Sequence, residues 1–277
     1  MKTQAQKAAD FAALHAAPGC FIIPNPWDPG SARTLAALGF KALTTTSAGY
    51  ARSIGVTDYK AGREHVLAHI RIMAPMVDLP LAADLENGFG DDPKVCAETI
   101  HLGAEAGLVG GSIEDFTGDR SNPIYEIARA ADRVRGAAEA AKSLPFKFML
   151  CARAENYLNG RYDLSDTIKR LQAYQEAGAD VLFAPGLNTA EEIRTVVQSV
   201  DRPVNVMGGA RKEKTTIADI AALGVKRVSL GGMMQAIAAS AMINAAREIA
   251  ATGTFVFLKD MVPGQEIDTL LNQGAAT

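Results

Sequence analysis

Short apolar segments alternate with longer amphipathic segments along almost the whole chain. Apolar runs of this length, bounded by polar and turn-forming residues, are typical of strands that are buried on both faces of a parallel sheet. Eight such strands are predicted, at Phe21–Ile23, Ala42–Thr46, Leu79–Ala83, Leu108–Ile113, Phe146–Cys151, Val181–Ala184, Pro203–Met207 and Arg227–Leu230.

The segments between these strands have the length and the apolar spacing of helices. Several end in glycine, as at Gly178 and Gly224, where the left-handed backbone that closes a helix favours this residue. A further helix, at about Gln4 to His15, precedes the first strand. The other predicted helices are Ser31–Leu38, Gly62–Met76, Pro93–Ala106, Pro123–Lys142, Leu164–Ala177, Thr189–Val200, Thr215–Leu223 and Met233–Ala250.

This alternation predicts an α/β fold of the (β/α)8 TIM-barrel type, formed as a single domain by residues 1–277. The competing doubly wound sheet would carry a glycine-rich phosphate loop after its first strand, whereas Pro24–Gly30 occupies that place without such a motif. Residues 251–277, with a helix at Gln265–Leu271, are predicted to form a C-terminal appendage that packs on a neighbouring element or another subunit.

Composition narrows the range of partners and compartments. The 277 residues are 48% hydrophobic with a net charge of −3, and the basic residues are spread along the chain. We therefore expect neither a nucleic-acid surface nor a membrane-binding surface. The three cysteines lack any CxxC spacing, and no apolar run approaches the roughly 18 residues of a membrane span. The chain is thus predicted to be a soluble, reduced, cytoplasmic protein.

Polar residues follow the predicted strands at their carboxyl ends, which is where barrel enzymes place their active sites. Asp84 and Glu86, two positions apart at the end of the third strand, are predicted to project from one face, and such a pair usually keeps a cation between its charges. The other strand-end residues are Asn25, Asp28, Thr46, Ser47, Arg52, Asp58, Glu114, Asp115, Arg153, Glu155, Asn156, Asn188, Asn205 and Ser229.

Acids from neighbouring strands that converge on one centre need a hard cation with oxygen ligands, for which Mg²⁺ is the usual choice. Arg153 can bond both oxygens of a substrate carboxylate. The amides around Ser47, Ala48 and Gly49 suit a carboxylate or enolate oxygen, since small residues allow close approach.

Each of these residues also has a structural interpretation. Asp28 can cap the helix near Ser31, Asp58 can cap a helix near Lys60, and Arg153 can form an ion pair with Glu155. Asp115 is expected to point away from the site that Glu114 faces. Asp84 and Glu86 can be solvated loop acids. The four histidines, His15, His65, His69 and His101, fall in helical segments away from strand ends. No histidine-centred site is therefore predicted.

Taken together, these residues resemble the isocitrate lyase/phosphoenolpyruvate mutase superfamily, and the resemblance runs from Asn25 to Gly231. Its most specific parts are Ser47-Ala48-Gly49, Asp58, Asp84 to Gly90, Ile113-Glu114-Asp115 and Ala152 to Glu155. It implies a barrel with its last helix swapped between the subunits of a homodimer or homotetramer. It also implies Mg²⁺ as cofactor, with a shell at Asp58, Asp84, Glu86 and Glu114. The implied α-keto carboxylate site comprises Ser47, Ala48, Gly49 and Arg153, to which we add Asn205.

Three departures from the family pattern bear on the chemistry. Glu86 and Phe89 replace the second Asp and the Tyr of the family's DxDxGYG motif. The KxCGH loop of the family's lyases is replaced by residues 116–123, which contain no Cys, His or Lys. Ala184-Pro185-Gly186 replaces the segment after the sixth strand in which the lyases usually carry a glutamate.

The sequence therefore predicts a Mg²⁺-dependent lyase that cleaves or decarboxylates a small α-keto or 2-hydroxy carboxylate through an enolate. Tyr50 or Arg120 is predicted to handle the proton. Phosphonomutase or phosphonopyruvate hydrolase chemistry, a non-catalytic α-keto acid binder and, less favoured, a hydroxymethyl-transferring barrel are the alternatives.

Overall fold

The computed structural model describes residues 1–209 and 216–276, which contain eight β-strands and eleven α-helices. The strands are β1 (Phe21–Ile23), β2 (Leu43–Thr44), β3 (Leu81–Asp84), β4 (Gly110–Glu114), β5 (Met149–Arg153), β6 (Val181–Phe183), β7 (Val204–Met207) and β8 (Arg227–Ser229). The helices are α1 (Gln4–Ala16), α2 (Pro29–Ala37), α3 (Ser47–Ser53), α4 (Arg63–Met73), α5 (Pro93–Glu105), α6 (Ile127–Ser143), α7 (Leu164–Glu176), α8 (Ala190–Gln198), α9 (Ile217–Ala221), α10 (Met233–Thr252) and α11 (Gly264–Gln273).

The strands form one parallel sheet in the order β1-β8-β7-β6-β5-β4-β3-β2. The two end strands approach each other, since the Thr44 amide donates to the Pro24 carbonyl at 3.1 Å. The sheet is therefore a nearly closed barrel surrounded by helices, and the predicted (β/α)8 fold is confirmed.

The predicted elements differ from the observed ones mainly at their ends. Helix α6 begins at Ile127 rather than Pro123, because Ile124 pairs antiparallel with Phe116 before the helix starts. Helix α3 was predicted as part of a loop after the second strand; the Thr46 side chain caps it. The predicted start of α9, Thr215, lies outside the described residues.

Two apolar cores stabilise the barrel. The larger core fills the layer between the strands and the surrounding helices. The second lies inside the barrel, where Ala8 and Phe11 of α1 pack against strand residues such as Met149 and Phe183. Phe11 is fully buried beside Gly110 and Met149, the first residues of β4 and β5. Helix α1 thus closes the amino end of the barrel and leaves the carboxyl end as the open mouth.

The C-terminal part of the chain presents apolar side chains on the surface. Helix α10 exposes Ile237 and Met242, and the following 3-10 helix Val256–Asp260 exposes Leu258. Helix α11 then packs on α2 of the same chain, and the Ala276 amide that follows α11 donates to the Met76 carbonyl at the end of the 3-10 helix after α4. Within the described residues, no helix has both the length and the apolar character that crossing a membrane requires. The swap of the last helix between subunits stays a prediction.

Candidate active site

A cleft of about 190 Å³ opens at the carboxyl ends of the strands. Residues at the carboxyl ends of β2, β3 and β5 form its rim, and side chains from β5, β7 and β8 form its floor. Among the predicted site residues, those that line it are Ser47, Ala48, Asp58, Asp84, Arg153 and Asn205; further lining residues include Tyr59, Cys151, Glu155, Leu158, Pro185, Arg227 and Ser229.

Arg153, at the end of β5, lies at the centre of the acidic cluster. Its Nη1 is 3.0 Å from Asp84 Oδ1, its Nη2 is 3.1 Å from Glu114 Oε2, and its Nε and Nη2 lie 2.9 and 2.8 Å from Glu155 Oε1. Burial alone would lower the pKa of Arg153, but these three carboxylates raise it well above its ordinary value. The structural ion pair considered for Arg153 and Glu155 is therefore present, as part of a larger network, and the substrate-binding role of Arg153 stays a prediction.

Asp84 is the last residue of β3, and its carboxylate is fixed by donors on both oxygens. Ser47 Oγ donates to Oδ2 at 3.1 Å, and the Glu86 amide donates to Oδ1 at 3.2 Å. Because the strand ends at Asp84 and Glu86 has a φ of +50°, strand alternation does not relate the two side chains. The expectation of a shared strand face was wrong for this reason, although the two acids remain close enough to interact electrostatically.

The acids at the rim carry more negative charge than Arg153 balances. Burial, followed by the charges of Asp84 and Asp58, raises the pKa of Glu86 to about 8, although Arg153 opposes the rise. Burial and the charge of Asp84 also raise the pKa of Asp58. Glu86 is 5% exposed, lies next to the cleft without lining it, and makes no ion pair with any described residue. A cation at the rim would relieve this repulsion.

Glu114, the last residue of β4, lies behind Arg153 and not on the cleft wall. Its carboxylate accepts a hydrogen bond from the Tyr59 hydroxyl and pairs with Arg153. Burial raises the pKa of Glu114 well above its ordinary value, against the influence of Arg153. Tyr59 has a φ of +63° and packs against Phe116, so a strained backbone presents this hydroxyl to the site. Among the predicted metal ligands, Glu114 is thus the most enclosed.

The structure places several predicted site residues away from the cleft wall. The Tyr50 hydroxyl donates to the His65 carbonyl at 3.1 Å, and its ring stacks on His69. The Gly49 amide donates to the capping Thr46 hydroxyl at 3.2 Å. Arg120 lies on an exposed loop. These placements leave Tyr50, Gly49 and Arg120 without a contact to the cleft in this conformation.

Two strand-end acids have structural roles. Asp28 caps α2 by accepting from the Ser31 amide at 2.7 Å. Asp115 is buried between strands and helices, where it accepts from the Glu155 amide, Arg170 and the Tyr174 hydroxyl at 2.7, 3.1 and 2.6 Å. Asp115 thus fixes the segment that carries Glu155, as expected for a residue that points away from the site. The cap role considered for Asp58 is absent, since α4 begins after Gly62.

Glu155, which the sequence analysis placed at a strand end, lines the cleft, whereas Tyr59, Cys151 and Arg227 were missed as cleft residues. Tyr59 adjoins Asp58, so proximity to a predicted residue was a usable signal for it. For Arg227 the sequence signal was stronger, because a charged residue that opens an apolar strand must face a polar interior or a ligand.

The rim can be tested for its fit to Mg²⁺. Within residues 1–209 and 216–276, no three His, Cys, Asp or Glu side chains are arranged to enclose a metal ion. Mg²⁺, however, is commonly bound through one or two carboxylates, with waters and substrate completing its octahedron. The uncompensated carboxylates of Asp58 and Glu86, beside Asp84, suit that mode of binding. The residues present therefore fit Mg²⁺ held largely through water and substrate.

Known proteins with related sequences include an uncharacterized protein, a lyase and a decarboxylase. An uncharacterized protein of Mycobacterium tuberculosis is 32% identical over 83% of this chain and 84% of its own length. The 2-methylisocitrate lyase of Bacillus subtilis is 29% identical over 73% of this chain and 67% of that enzyme. The oxaloacetate decarboxylase of Paraburkholderia xenovorans is 29% identical over 92% and 84% of the two chains.

Solved structures share the fold. A Burkholderia cenocepacia protein, provisionally called a lyase/mutase, superposes with a TM-score of 0.93 at 53% identity, covering 96% of this chain and 95% of its own. A phosphonopyruvate hydrolase in complex with oxalate and Mg²⁺ superposes with a TM-score of 0.84 at 24% identity, covering 98% of this chain and 95% of that one. At this identity the second likeness shows the fold alone.

The sequence pattern of the family described as phosphoenolpyruvate phosphomutase matches residues 11–250, which span the barrel and most of α10. The same residues form the acidic rim and the cleft. This chain belongs to the phosphoenolpyruvate phosphomutase family, within the superfamily of phosphoenolpyruvate mutases and isocitrate lyases.

Proposed function

We propose that this protein is a Mg²⁺-dependent lyase that cleaves or decarboxylates a small 2-oxo or 2-hydroxy carboxylic acid through an enolate. The observation that carries the proposal is the crowding of acids at a small cleft: Asp58 and Asp84 line it, and their charges, with burial, raise the pKa of the adjacent Glu86 to about 8 despite Arg153. The lyases and decarboxylases among the relatives support the reaction class. The Mg²⁺ and oxalate bound by a protein of the same fold support the cofactor and the kind of ligand.

The roles of the side chains follow from their contacts. Mg²⁺, when bound at Asp58, Asp84 and Glu86, would act as a Lewis acid for the developing enolate oxygen. Ser47 donates to Asp84 and so orients that carboxylate at the rim. Arg153 holds Asp84 and Glu155 in place and brings a permanent positive charge to the wall where the substrate carboxylate would lie.

The size of the cleft supports a small substrate. Its volume of about 190 Å³ lies below the range of about 300–1,000 Å³ that is typical of pockets for drug-sized ligands. Leu158 and Pro185 also line the cleft, where they add bulk but no charged group. A small acid is therefore the substrate we propose, since a tricarboxylate would find no charged partner at Pro185.

We assign the transfer of a proton to or from the enolate to Glu155. Tyr50 and Arg120 do not line the cleft. Burial raises the pKa of Glu155 to about 7, although Arg153 opposes the rise, so both protonation states are populated near neutral pH. Arg153 contacts Oε1 of Glu155, which leaves Oε2 to carry the proton. The exposed loop 117–122, held by bonds such as Thr117 Oγ1 to the Asn122 carbonyl, would close over the cleft and exclude water.

The proposal is tested by turnover of a panel of 2-oxo and 2-hydroxy acids, with Mg²⁺ or with EDTA. We expect turnover of at least one acid that EDTA abolishes, and a loss of about 100-fold or more in Asp84→Asn, since a carboxylate next to the reacting centre is removed. Asp132→Asn, which removes a surface carboxylate paired with Arg135, is the matched control and should retain activity. Turnover that survives both EDTA and Asp84→Asn would contradict the proposal.

A second candidate is phosphorus–carbon bond chemistry, which the match to the phosphoenolpyruvate phosphomutase family favours. Phosphorus NMR of the protein with phosphonopyruvate and Mg²⁺ separates the two reactions, because new phosphoenolpyruvate or inorganic phosphate signals would appear only with this chemistry. A non-catalytic binder would instead hold a 2-oxo acid tightly without converting any member of the panel.

A further inference from the structure

A buried guanidinium lies at the floor of the cleft. Arg227 opens β8, lines the cleft together with Cys151, Asn205 and Ser229, and is 7% exposed. The acidic rim described above does not include it, and no role in the proposed reaction uses it. Its position is below the rim, since it pairs in register with Phe21, the first residue of β1.

Arg227 is bonded to neutral groups. Its Nε donates to Asn205 Oδ1 at 2.9 Å, and its Nη1 lies 3.4 Å from His15 Nε2. Burial, with a smaller contribution from the charge of Arg227, lowers the pKa of His15 to about 3, so this imidazole is uncharged at neutral pH. In residues 1–209 and 216–276, no carboxylate lies within the 4.0 Å of an ion pair with Arg227.

The contrast with Arg153 makes this observation informative. Both arginines line the same cleft, yet Arg153 contacts three carboxylates whereas Arg227 contacts none of the described ones. A buried charge is costly unless it is paired, so a guanidinium of this kind indicates an anion that comes from outside the chain.

We propose that Arg227 and Ser229 form an inner anion subsite that takes one carboxylate group at the floor of the cleft. The guanidinium supplies the charge and the fork of donors that match a carboxylate. Ser229 Oγ accepts from Asn205 Nδ2 at 3.0 Å, which leaves the hydroxyl hydrogen of Ser229 free to donate to the same anion.

Small side chains leave room for such a group in the cleft. Ala82, Ser112 and Cys151 of β3, β4 and β5 line the same cleft as Arg227. Two sources can supply the carboxylate: a separate small acid, or the inner end of a dicarboxylate whose other end lies at the rim. The second source rests on the proposed function, whereas the first does not.

Isothermal titration calorimetry with EDTA and at constant ionic strength tests the subsite, with acetate and malonate as probes. We expect wild-type protein to bind at least one probe, and Arg227→Gln to weaken that binding by about 10- to 100-fold, as the loss of a charged hydrogen-bonded partner should. Arg227→Lys should keep part of the affinity. Arg194→Gln, which removes a charge from the exposed surface of α8, is the matched control and should bind as wild type does.

The two probes separate the two sources. Arg227-dependent binding of acetate assigns the subsite to a separate small anion, and dependence seen with malonate alone assigns it to the inner end of a dicarboxylate. Binding of neither probe to wild type, or equal affinity in wild type, Arg227→Lys and Ser229→Ala, overturns the proposal. Because Arg227→Lys and Ser229→Ala preserve charge and volume, they carry the test if Arg227→Gln does not fold.

No step of this measurement requires Mg²⁺ or turnover. Selective binding without catalysis would leave the inner subsite standing while the proposed lyase function failed. Catalysis together with probe binding that Arg227→Lys and Ser229→Ala leave unchanged would refute the inner subsite while the proposed lyase function stood.

Discussion

At the scale of single residues, the site is built from acids that share too little positive charge. Arg153 serves Asp84, Glu114 and Glu155 at once, and Glu86 has no cationic partner among the described residues. Tyr59 and Glu86, two residues of the acidic cluster around Arg153, also adopt positive φ values that residues with side chains rarely populate. Both the crowding of charge and the backbone strain concentrate where a ligand or cation would be bound.

Asp115 provides a test of how far the site depends on buried support. It is 2% exposed and accepts three hydrogen bonds, including one from Arg170. We expect Asp115→Ala to lower the free energy of unfolding by about 3–5 kcal/mol, because Arg170, the Tyr174 hydroxyl and the Glu155 amide would all lose a buried acceptor, and only the more exposed Asp166 would remain to pair with Arg170. Urea denaturation measures the loss. Asp166→Ala removes the more exposed partner of the same arginine and should lower the free energy by about 1 kcal/mol or less.

His15 gives the protein a predictable loss of stability in acid. Its pKa is lowered to about 3 in the folded chain, chiefly by burial, whereas in the unfolded chain it stays near 6.5. Below pH 6.5 the unfolded state therefore binds the additional proton, and the stabilising contribution is lost as the pH falls from about 6.5 towards 3.

The size of this effect can be isolated by substitution. Between pH 6.5 and 5 the single group accounts for about 2 kcal/mol. Urea denaturation at pH 6.5 and at pH 5 gives the fall in the free energy of unfolding between the two pH values. This fall should be smaller in His15→Gln than in wild type by about the same amount. His101→Gln, on the exposed surface of α5, should behave as wild type does. An equal fall in all three proteins would show that His15 is protonated in the folded state.

At the scale of elements, close approach of helix backbones limits which residues the barrel tolerates. Helix α6 packs against α5, and a Cβ at Gly136 would lie 2.6 Å from the Pro93 carbonyl oxygen. A contact below 3.0 Å with backbone atoms cannot be relieved by a side-chain rotation, so one of the helices must move. The loop between β3 and α5 carries Glu86, so the N-terminus of α5 is connected directly to the acidic cluster.

Gly136→Ala should therefore destabilise the protein, although alanine is the better helix former. We expect a loss of about 1–3 kcal/mol in the free energy of unfolding from overpacking. Gly264→Ala is the matched control, because nothing lies near its Cβ position at the start of α11, and it should be neutral or slightly stabilising. Chemical denaturation measures the free energy of unfolding of both variants. A stabilising effect of Gly136→Ala would contradict the close packing of α5 and α6.

At the scale of the whole molecule, the exposed apolar surface of the C-terminal region indicates assembly. Ile237 and Met242 of α10 are 66% and 67% exposed, and Leu258 of the following segment is 53% exposed. Apolar side chains concentrated in one part of a surface usually mark a contact with another protein. We propose that this surface joins copies of the chain into a homodimer or homotetramer, as the family resemblance implies.

Sedimentation velocity provides the measurement for this assembly. Wild type should sediment as a dimer or tetramer, and Met242→Lys should shift it towards the monomer, because a charge would be buried in an apolar contact. Gln198→Lys, at an exposed position of α8, adds the same charge elsewhere and should leave the assembly unchanged. A monomeric wild-type protein would contradict the proposal.

The sequence by itself was enough for the barrel and for the direction in which its mouth faces. Apolar runs and helical periodicity are local signals, so β1 to β8 all lie within or overlap their predicted segments. The same local rules were sufficient for the cap at Asp28, whose partner is three residues away. Charged residues that follow successive parallel strands must meet at one end of a barrel. For this reason the sequence was enough to identify Asp58, Asp84 and Arg153 as cleft residues.

Only the tertiary structure decided which side chains face the cleft and which partners they choose. Arg153 meets acids from β3 and β4 as well as Glu155, and that choice depends on strand register and side-chain reach. Tyr50 turns to His65 because α3, a short helix that was not predicted, carries it away from the mouth. The unpaired charge of Arg227 is visible only once the barrel is closed around it. Periodicity specifies the frame of this protein, whereas the pairing of its charges is set by long-range packing.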